Sequence, residues 1–389
     1  RSAKNIVRFI NALYPYASEE LYRKLASDDV PDTGKIKDIY ISTCQGMPGI
    51  SGTDGSVDIT FCDDRKVQEQ VLCEAVGAAL ARGFSQRDIA VLVRTRADGE
   101  KYARAIGDAG YSVISNDSLR LGYNPFIQQL VKGLYLFSDP SDTIHTYEAP
   151  SFDRGEISRA RNLGETVRYM LRYLPEAEAQ ASTAYIIAFL DLVRDYESEN
   201  GDSLDGFLQF WEETGRSQSV QCSPDSDAVT VITIHKAKGL EYPFVIIPFG
   251  KDELMRSQGV EAWVAPDTGG TVLGPTGKML FKVNLTGSSK NTLFYDSYQK
   301  ERLMSCIDTL NTTYVATTRP TQAMHLICGK FNSSSVTGIQ SVIGNFVNGG
   351  CADPEVRFEE MPPYVDGKNA KGDPLAVRYN FGGEPVKAV

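Results

Sequence analysis

Apolar and polar positions follow two distinct rhythms along this chain. Over residues 4–28, Ile6, Val7, Ile10 and Leu13 recur at the spacing that returns a side chain to one helix face. The glycine, proline and serine of "CQGMPGISGTDG" (44–55) then break the pattern. Beyond them, "SVDITFC" reads as a strand, 66–83 as a helix, "DIAVLVRT" (88–95) as a strand, 98–109 as a helix and "YSVIS" (111–115) as a third strand. Strands separated by helices of this length predict βαβ units and a parallel sheet.

From about Asp139 the rhythm is helical and polar, through "ISRARNLGETVRYMLRYL", "AYIIAFLDLVRDYE" and "SLDGFLQFWEETG". Strand character returns with "AVTVITIH" (228–235) and with "PFVIIPF" (243–249), a continuous apolar run of the kind buried on both faces. This predicts an α/β domain over 1–139 and 227–349, split by a helical insertion over 140–226. Residues 250–292 read as Gly-rich loop, about 294–317 as a long helix and "AMHLIC" (323–328) as a short strand. The Gly/Pro-rich stretch 350–389 has few large aliphatics and reads as a flexible linker or tail.

Length and composition narrow the class. A chain of 389 residues suits two or three domains with their own cores. It has no apolar run long enough to cross a bilayer. "RSAKNIVRFINALY" lacks the apolar centre and cleavage site of a signal peptide. The chain begins with Arg1 and not with Met, as a trimmed protein would. Seven scattered cysteines with no C-x-x-C pair favour neither a disulfide framework nor a zinc site, which points to a reducing, cytoplasmic setting. Net charge −10 excludes a protein coated in basic patches, so any phosphate partner must be met by particular residues.

Several motifs are decoys. "GPTGK" (274–278) has Val272 where a phosphate loop needs glycine and Met279 where it needs Ser or Thr. His145, His235 and His325 lie too far apart in sequence to predict a metal cluster or a triad. "DPEVRFEE" (353–360) reads as a solvated acidic stretch.

Three sites fall at ends of predicted parallel strands, where open α/β sheets bind their ligands. Arg94 ends "IAVLV", where an arginine either caps a strand at the surface or binds phosphate. "TIHKAKGLEY" (233–242) offers His235, Lys236 and Lys238 as donors to phosphate oxygens, Gly239 for close backbone approach and Glu241 as an acceptor for a sugar hydroxyl. That density of donors beside two buried strands favours a functional loop over a solvated turn. "NTTYVATTRP" (311–320) presents Arg319 at a helix end, either as a surface residue or as a donor to a transferring phosphoryl group.

In order, "VLVRTR", "VTVITIHKAKGLEYPFVIIP" and "LNTTYVATTRP" resemble motifs IV, V and VI of superfamily 1 DNA helicases of the UvrD/Rep type. "RSAKNIVRFIN" resembles the segment that follows the family's third ATPase motif, and "ISNDSLRLGYNPFIQQLVKGLYLFSDPSD" is similar to the RecB/AddA helicase–nuclease branch. The resemblance implies a RecA-like domain (2A) interrupted by a reduced helical domain (2B). It further implies a second motor half that lacks the Walker A lysine and the acids that hold Mg²⁺. Arg94 and Arg319 would then reach the γ-phosphate of ATP as catalytic arginines, with Lys238, Gly239 and Glu241 also on the nucleotide. Thr233, His235 and Lys236 would face single-stranded DNA. The implied partners are that DNA, the N-terminal half of the same full-length chain and a helicase–nuclease partner subunit. Pro320 departs from the family's small residue after the motif VI arginine and restricts the backbone of Arg319. Two other readings stay open, a helicase-like scaffold that binds without turnover and an unrelated α/β nucleotide-binding domain.

Overall fold

Helix α1 (Lys4–Ser27) buries the face that its spacing predicts, with Ile6, Ile10, Leu13, Ala17 and Leu21 all inward. The computed structural model describes residues 2–41, 44–46, 54–115, 121–141, 151–218, 227–249, 259–265, 280–331, 336–384 and 387. Arg1, His145, Cys222 and "GPTGK" lie outside these residues. Helix α2 (Gly34–Ile41) follows, then strand β1 (Ser56–Cys62), helix α3 (Arg65–Ala81), strand β2 (Ile89–Val93) and helix α4 (Arg96–Asp108). Asp64 and Thr95 cap the two helices by accepting from the amides of Val67 and Asp98, which satisfies donors that a first helical turn leaves open.

The chain divides into two units, residues 1–112 with 228–389 and residues 113–227. The second begins with β3 (Val113–Ser115) and continues as helices α5 (Pro125–Ser138), α6 (Arg154–Ile157), α7 (Leu163–Leu171), α8 (Glu176–Ala181), α9 (Thr183–Asn200) and α10 (Leu204–Glu213). It therefore starts well before residue 140. The reason lies in α5, whose Phe126, Ile127, Leu130 and Leu134 join Val167, Met170, Phe189 and Trp211 in one apolar cluster. Periodicity reveals the helix but not the core that takes it.

The first unit resumes with β4 (Val229–Thr233) and β5 (Tyr242–Pro248). The expected loop over 250–292 contains, in its described part, an antiparallel hairpin of β6 (Val260–Val264) and β7 (Phe281–Leu285). Helix α11 (Tyr295–Thr317) runs into β8 (Pro320–Gly329), and α12 (Ile339–Asn345), β9 (Glu359–Met361) and β10 (Ala376–Phe381) close the unit. Its strands pair in the order β4-β2-β5-β8-β1-β10-β9. The first five are mutually parallel, β10 runs antiparallel to β1 and β9 antiparallel to β10, a parallel-rich α/β sheet consistent with a RecA-like fold.

Alternation along the strands separates two faces. Ala90, Leu92, Ile232, Val245, Ile247 and Met324 pack with α1, α11 and α12. Helix α4 covers the opposite face, where Gly99 lies against Val93 and Val231. The expectation of a flexible tail over 350–389 is corrected here. Strand β10 pairs with β1 from Val57↔Phe381 to Cys62↔Ala376, and Arg378, Asn380 and Phe381 are buried. Composition missed this strand because its inward residues include polar ones, which meet a buried polar layer on β1 and β8.

Candidate functional site

Strand β4 hands over to β5 without a helix. Ile234 N–H donates to the Val93 carbonyl at 2.9 Å, extending the β4–β2 ladder by one residue. The loop then turns twice, with Ala237 N–H on the Thr233 carbonyl (3.0 Å) and Leu240 N–H on the Ala237 carbonyl (3.0 Å). Ile234 and Ala237 are buried in the core shared with α1 and α11, whereas His235, Lys236, Lys238, Gly239 and Glu241 are exposed. Apolar anchors thus pin the loop while its polar side chains stand outward. Gly239 has φ +90, and a Cβ built there would meet nothing within 4 Å. Only the left-handed backbone explains glycine at this point.

Because β2 pairs Val93 with Thr233 and Ile89 with Phe244, the loop travels the length of the strands. His235 stands near their carboxyl ends and Glu241 near their amino ends. The two arginines divide in the same way, Arg94 directly after β2 and Arg319 directly before β8. The structure does not gather both at the carboxyl edge where open α/β sheets usually bind ligands.

Helix α11 links them. Both Arg94 Nη atoms lie 3.5 Å from Thr309 Oγ1. Arg319 donates from Nε to the Val315 carbonyl (2.9 Å), from Nη1 to the Leu240 carbonyl (3.3 Å) and from Nη2 to Thr318 Oγ1 (2.8 Å). It therefore donates to one carbonyl in the last turn of α11, that of Val315, and ties the helix end to the loop. The Thr309 and Val315 anchor points are about 9 Å apart along the axis at the usual helical rise. Tyr242 N–H donates to the Arg319 carbonyl at 3.1 Å, so the loop rejoins the sheet beside this arginine. Pro320 is the first residue of β8, a strand position that tolerates a missing amide donor.

Sequence reasoning missed Thr309, the hydroxyl that meets Arg94. Thr309, Thr313 and Thr317 lie four residues apart on the buried side of α11, and Thr313 Oγ1 returns to the Thr309 carbonyl (2.8 Å). That spacing of threonines inside a predicted helix was the available signal. Burial raises the Tyr242 phenol, so this half-buried ring stays neutral beside Glu241. His325 is a core residue, fully buried and within 2.9 Å of Thr60 Oγ1. In the acidic stretch, Glu355 pairs with Arg8. Among the described residues no group of three His, Cys, Asp or Glu is placed to hold a metal ion.

Residues 151–330 match the family model described as UvrD-like helicase C-terminal domain. The matched residues hold the 233–242 loop and Arg319, while Arg94 lies before them. The chain is 25% identical over 167 residues to an ATP-dependent helicase/nuclease subunit of Lacticaseibacillus casei, covering 41% of this chain and 13% of that protein. It is 35% identical over 78 residues to the exonuclease/helicase subunit RexA of Streptococcus pneumoniae, covering 19% and 6%. It is also 53% identical over 36 residues to the RecBCD enzyme subunit RecB of Buchnera aphidicola, covering 9% and 3%. The chain thus spans a small part of the relatives it matches. Among its described residues no helix is long and apolar enough to cross a membrane.

Proposed function

We propose that this chain is the second motor half of an ATP-dependent DNA helicase or translocase of the UvrD/RecB type, a 2A domain with a reduced 2B insertion. Support comes above all from the bond between Arg319 and the Leu240 carbonyl, which joins the helix end of motif VI to the loop of motif V. The Nε, Nη1 and Nη2 bonds of Arg319 use three of a guanidinium's five N–H groups, so donors remain for a phosphate.

In this reading Arg319 donates to the γ-phosphate and neutralises charge that develops there, and Arg94, anchored on Thr309 about 9 Å along α11 from the Arg319 anchor, is the second donor that reaches toward it. Lys238 adds a cation, the open backbone at Gly239 permits close approach and Glu241 accepts from a ribose hydroxyl. ATP supplies the phosphoryl bond whose hydrolysis drives movement. The Mg²⁺ ligands and the Walker A lysine belong to the N-terminal half, so this half alone neither hydrolyses ATP nor unwinds DNA. Thr233, His235 and Lys236 contact single-stranded DNA at the other end of the same loop, through its backbone and without reading sequence. The helicase–nuclease relatives bring a partner subunit into the proposal.

The test uses the full-length protein. Arg319→Ala lowers DNA-stimulated ATP hydrolysis by about a thousandfold or more if it is the finger. Turnover retained by that variant rejects the assignment. His235→Ala with Lys236→Ala lowers single-stranded DNA affinity and flattens its salt dependence.

A second reading, a helicase-like scaffold without turnover, is favoured by one observation. Three nitrogens of Arg319 are engaged within the chain, as a helix-capping residue requires. An upstream sequence without an intact G-x-x-x-x-G-K-[ST] motif would decide for it.

A further inference from the structure

Arg319 is bracketed by helix α1. Two residues after it, the Thr321 carbonyl accepts from Ala3 N–H at 2.8 Å, at the start of α1. Two residues before it, Thr317 Oγ1 lies 2.8 Å from Tyr14 Oη, in the middle of α1. Thr317 donates its own hydroxyl proton to the Tyr314 carbonyl (3.1 Å), so Tyr14 is the donor in the 2.8 Å bond. Tyr14 is 1% exposed and Thr317 is fully buried. A partner lost here cannot be replaced by water without cost.

Two further bonds grip the same helix end. Tyr40 Oη on α2 donates to Asn311 Oδ1 at 2.6 Å. Asn11 on α1 exchanges two hydrogen bonds with the backbone of Gln45, whose side chain donates to Tyr314 Oη at 3.2 Å. Positions 311, 314 and 317 recur every three residues and so share one side of α11. The rings of Tyr14, Tyr40 and Tyr314 pack together there, with Tyr14 stacked on Tyr40 at 5.8 Å and edge-on to Tyr314 at 5.0 Å. The last turns of α11 are therefore held at one azimuth by hydroxyl bonds that leave little freedom to roll.

We infer that α1 and α2 set the aim of Arg319, with Tyr14 and Tyr40 as positioning residues that touch neither nucleotide nor DNA. The inference rests on the reading of Arg319 as the phosphate-facing arginine. Its physical content is that a donor displaced by an ångström loses much of its effect on a transition state.

The experiment compares Tyr14→Phe, Thr317→Val and Thr317→Ser in the full-length protein. Tyr14→Phe keeps the ring stack and removes only the donor. The kcat for DNA-stimulated ATP hydrolysis is expected to fall about tenfold in Tyr14→Phe and Thr317→Val, with KM for ATP changed less than about twofold. Thr317→Ser restores the acceptor and is expected to retain wild-type kcat. In an Arg319→Ala background, Tyr14→Phe is expected to add nothing, since the effect passes through that arginine. An unchanged kcat in Tyr14→Phe overturns the inference, as does an equal loss with and without Arg319. A wild-type protein that does not hydrolyse ATP removes the motor reading and this inference together. An active wild type with a neutral Tyr14→Phe removes only the inference.

Discussion

Arg378 donates twice to one oxygen of Asp58, from Nε at 3.1 Å and from Nη2 at 2.9 Å, with both side chains under 5% exposed. Asn380 adds a third bond to the same oxygen at 3.0 Å, and the Tyr364 ring lies 4.3 Å from the guanidinium. Burial pushes the Asp58 carboxyl up, while Arg378 and Asn380 act to keep it charged. Removing one member of such a pair leaves the other uncompensated. Arg378→Met is therefore expected to lower the unfolding free energy of the first unit by about 3–5 kcal/mol. The exposed pair of Lys282 and Glu261 provides the contrast, since Lys282→Ala should cost less than about 1 kcal/mol. Chemical denaturation of both variants decides the matter, and equal costs would contradict it.

His325 gives the fold a pH dependence of predictable sign. Burial, with the positive charge of Arg378 and Arg82 behind it, lowers the imidazole to about 3. The unfolded chain takes up this proton below about pH 6.5, whereas the native state does not. Stability is therefore complete above that pH and declines on acidification toward pH 3, by on the order of 1.4 kcal/mol per unit from this residue. Urea unfolding at pH 7 and at pH 4.5, for the native chain and for His325→Asn, measures the contribution. An unchanged slope in the variant would assign the acid sensitivity to the carboxylates.

Gly239→Ala tests the loop. A Cβ at this position meets nothing within 4 Å, so the expected cost of about 1–2 kcal/mol comes from the left-handed backbone alone. Thermal unfolding reads that cost. A neutral substitution would mean that the loop relaxes to another conformation.

Thiol reactivity should follow burial. Cys62 and Cys306 are buried, and burial pushes both thiols up to about 12, whereas Cys44 is exposed. Because the thiolate is the nucleophile, iodoacetamide at pH 8 is expected to label Cys44 in the native protein and the other two only after unfolding. Peptide mass mapping distinguishes the sites, and native labelling of Cys306 would show that α11 opens.

The legible parts of this sequence were those where one periodicity ruled. "IAVLV" and "FVIIP" are continuous apolar runs, and both became buried central strands. Helix α11 and the loop at 233–242 were equally plain, because cationic side chains beside apolar strands are chemically conspicuous. What escaped had mixed signals. "AVRYNF" carries Arg378 and Asn380 toward the interior, so it resembled solvated chain until Asp58 was seen opposite. Trp263 pairs with Lys282 across an exposed hairpin, where no core imposes a pattern on the sequence. Thr309 announced itself only through its spacing, since a threonine's hydroxyl gains meaning from the partner that folding supplies.

The position of β1, between β8 and β10, has a consequence for the order in which the molecule can be made. The neighbours of β1 exist only after the ribosome has passed residues 320–329 and 376–381, so its edges and Asp58 wait while more than 250 further residues are made. The helical unit draws its cluster from residues 121–211 and can consolidate long before. A nascent chain arrested near residue 300 should accordingly resist proteolysis over 151–217 while residues 54–112 are still cut.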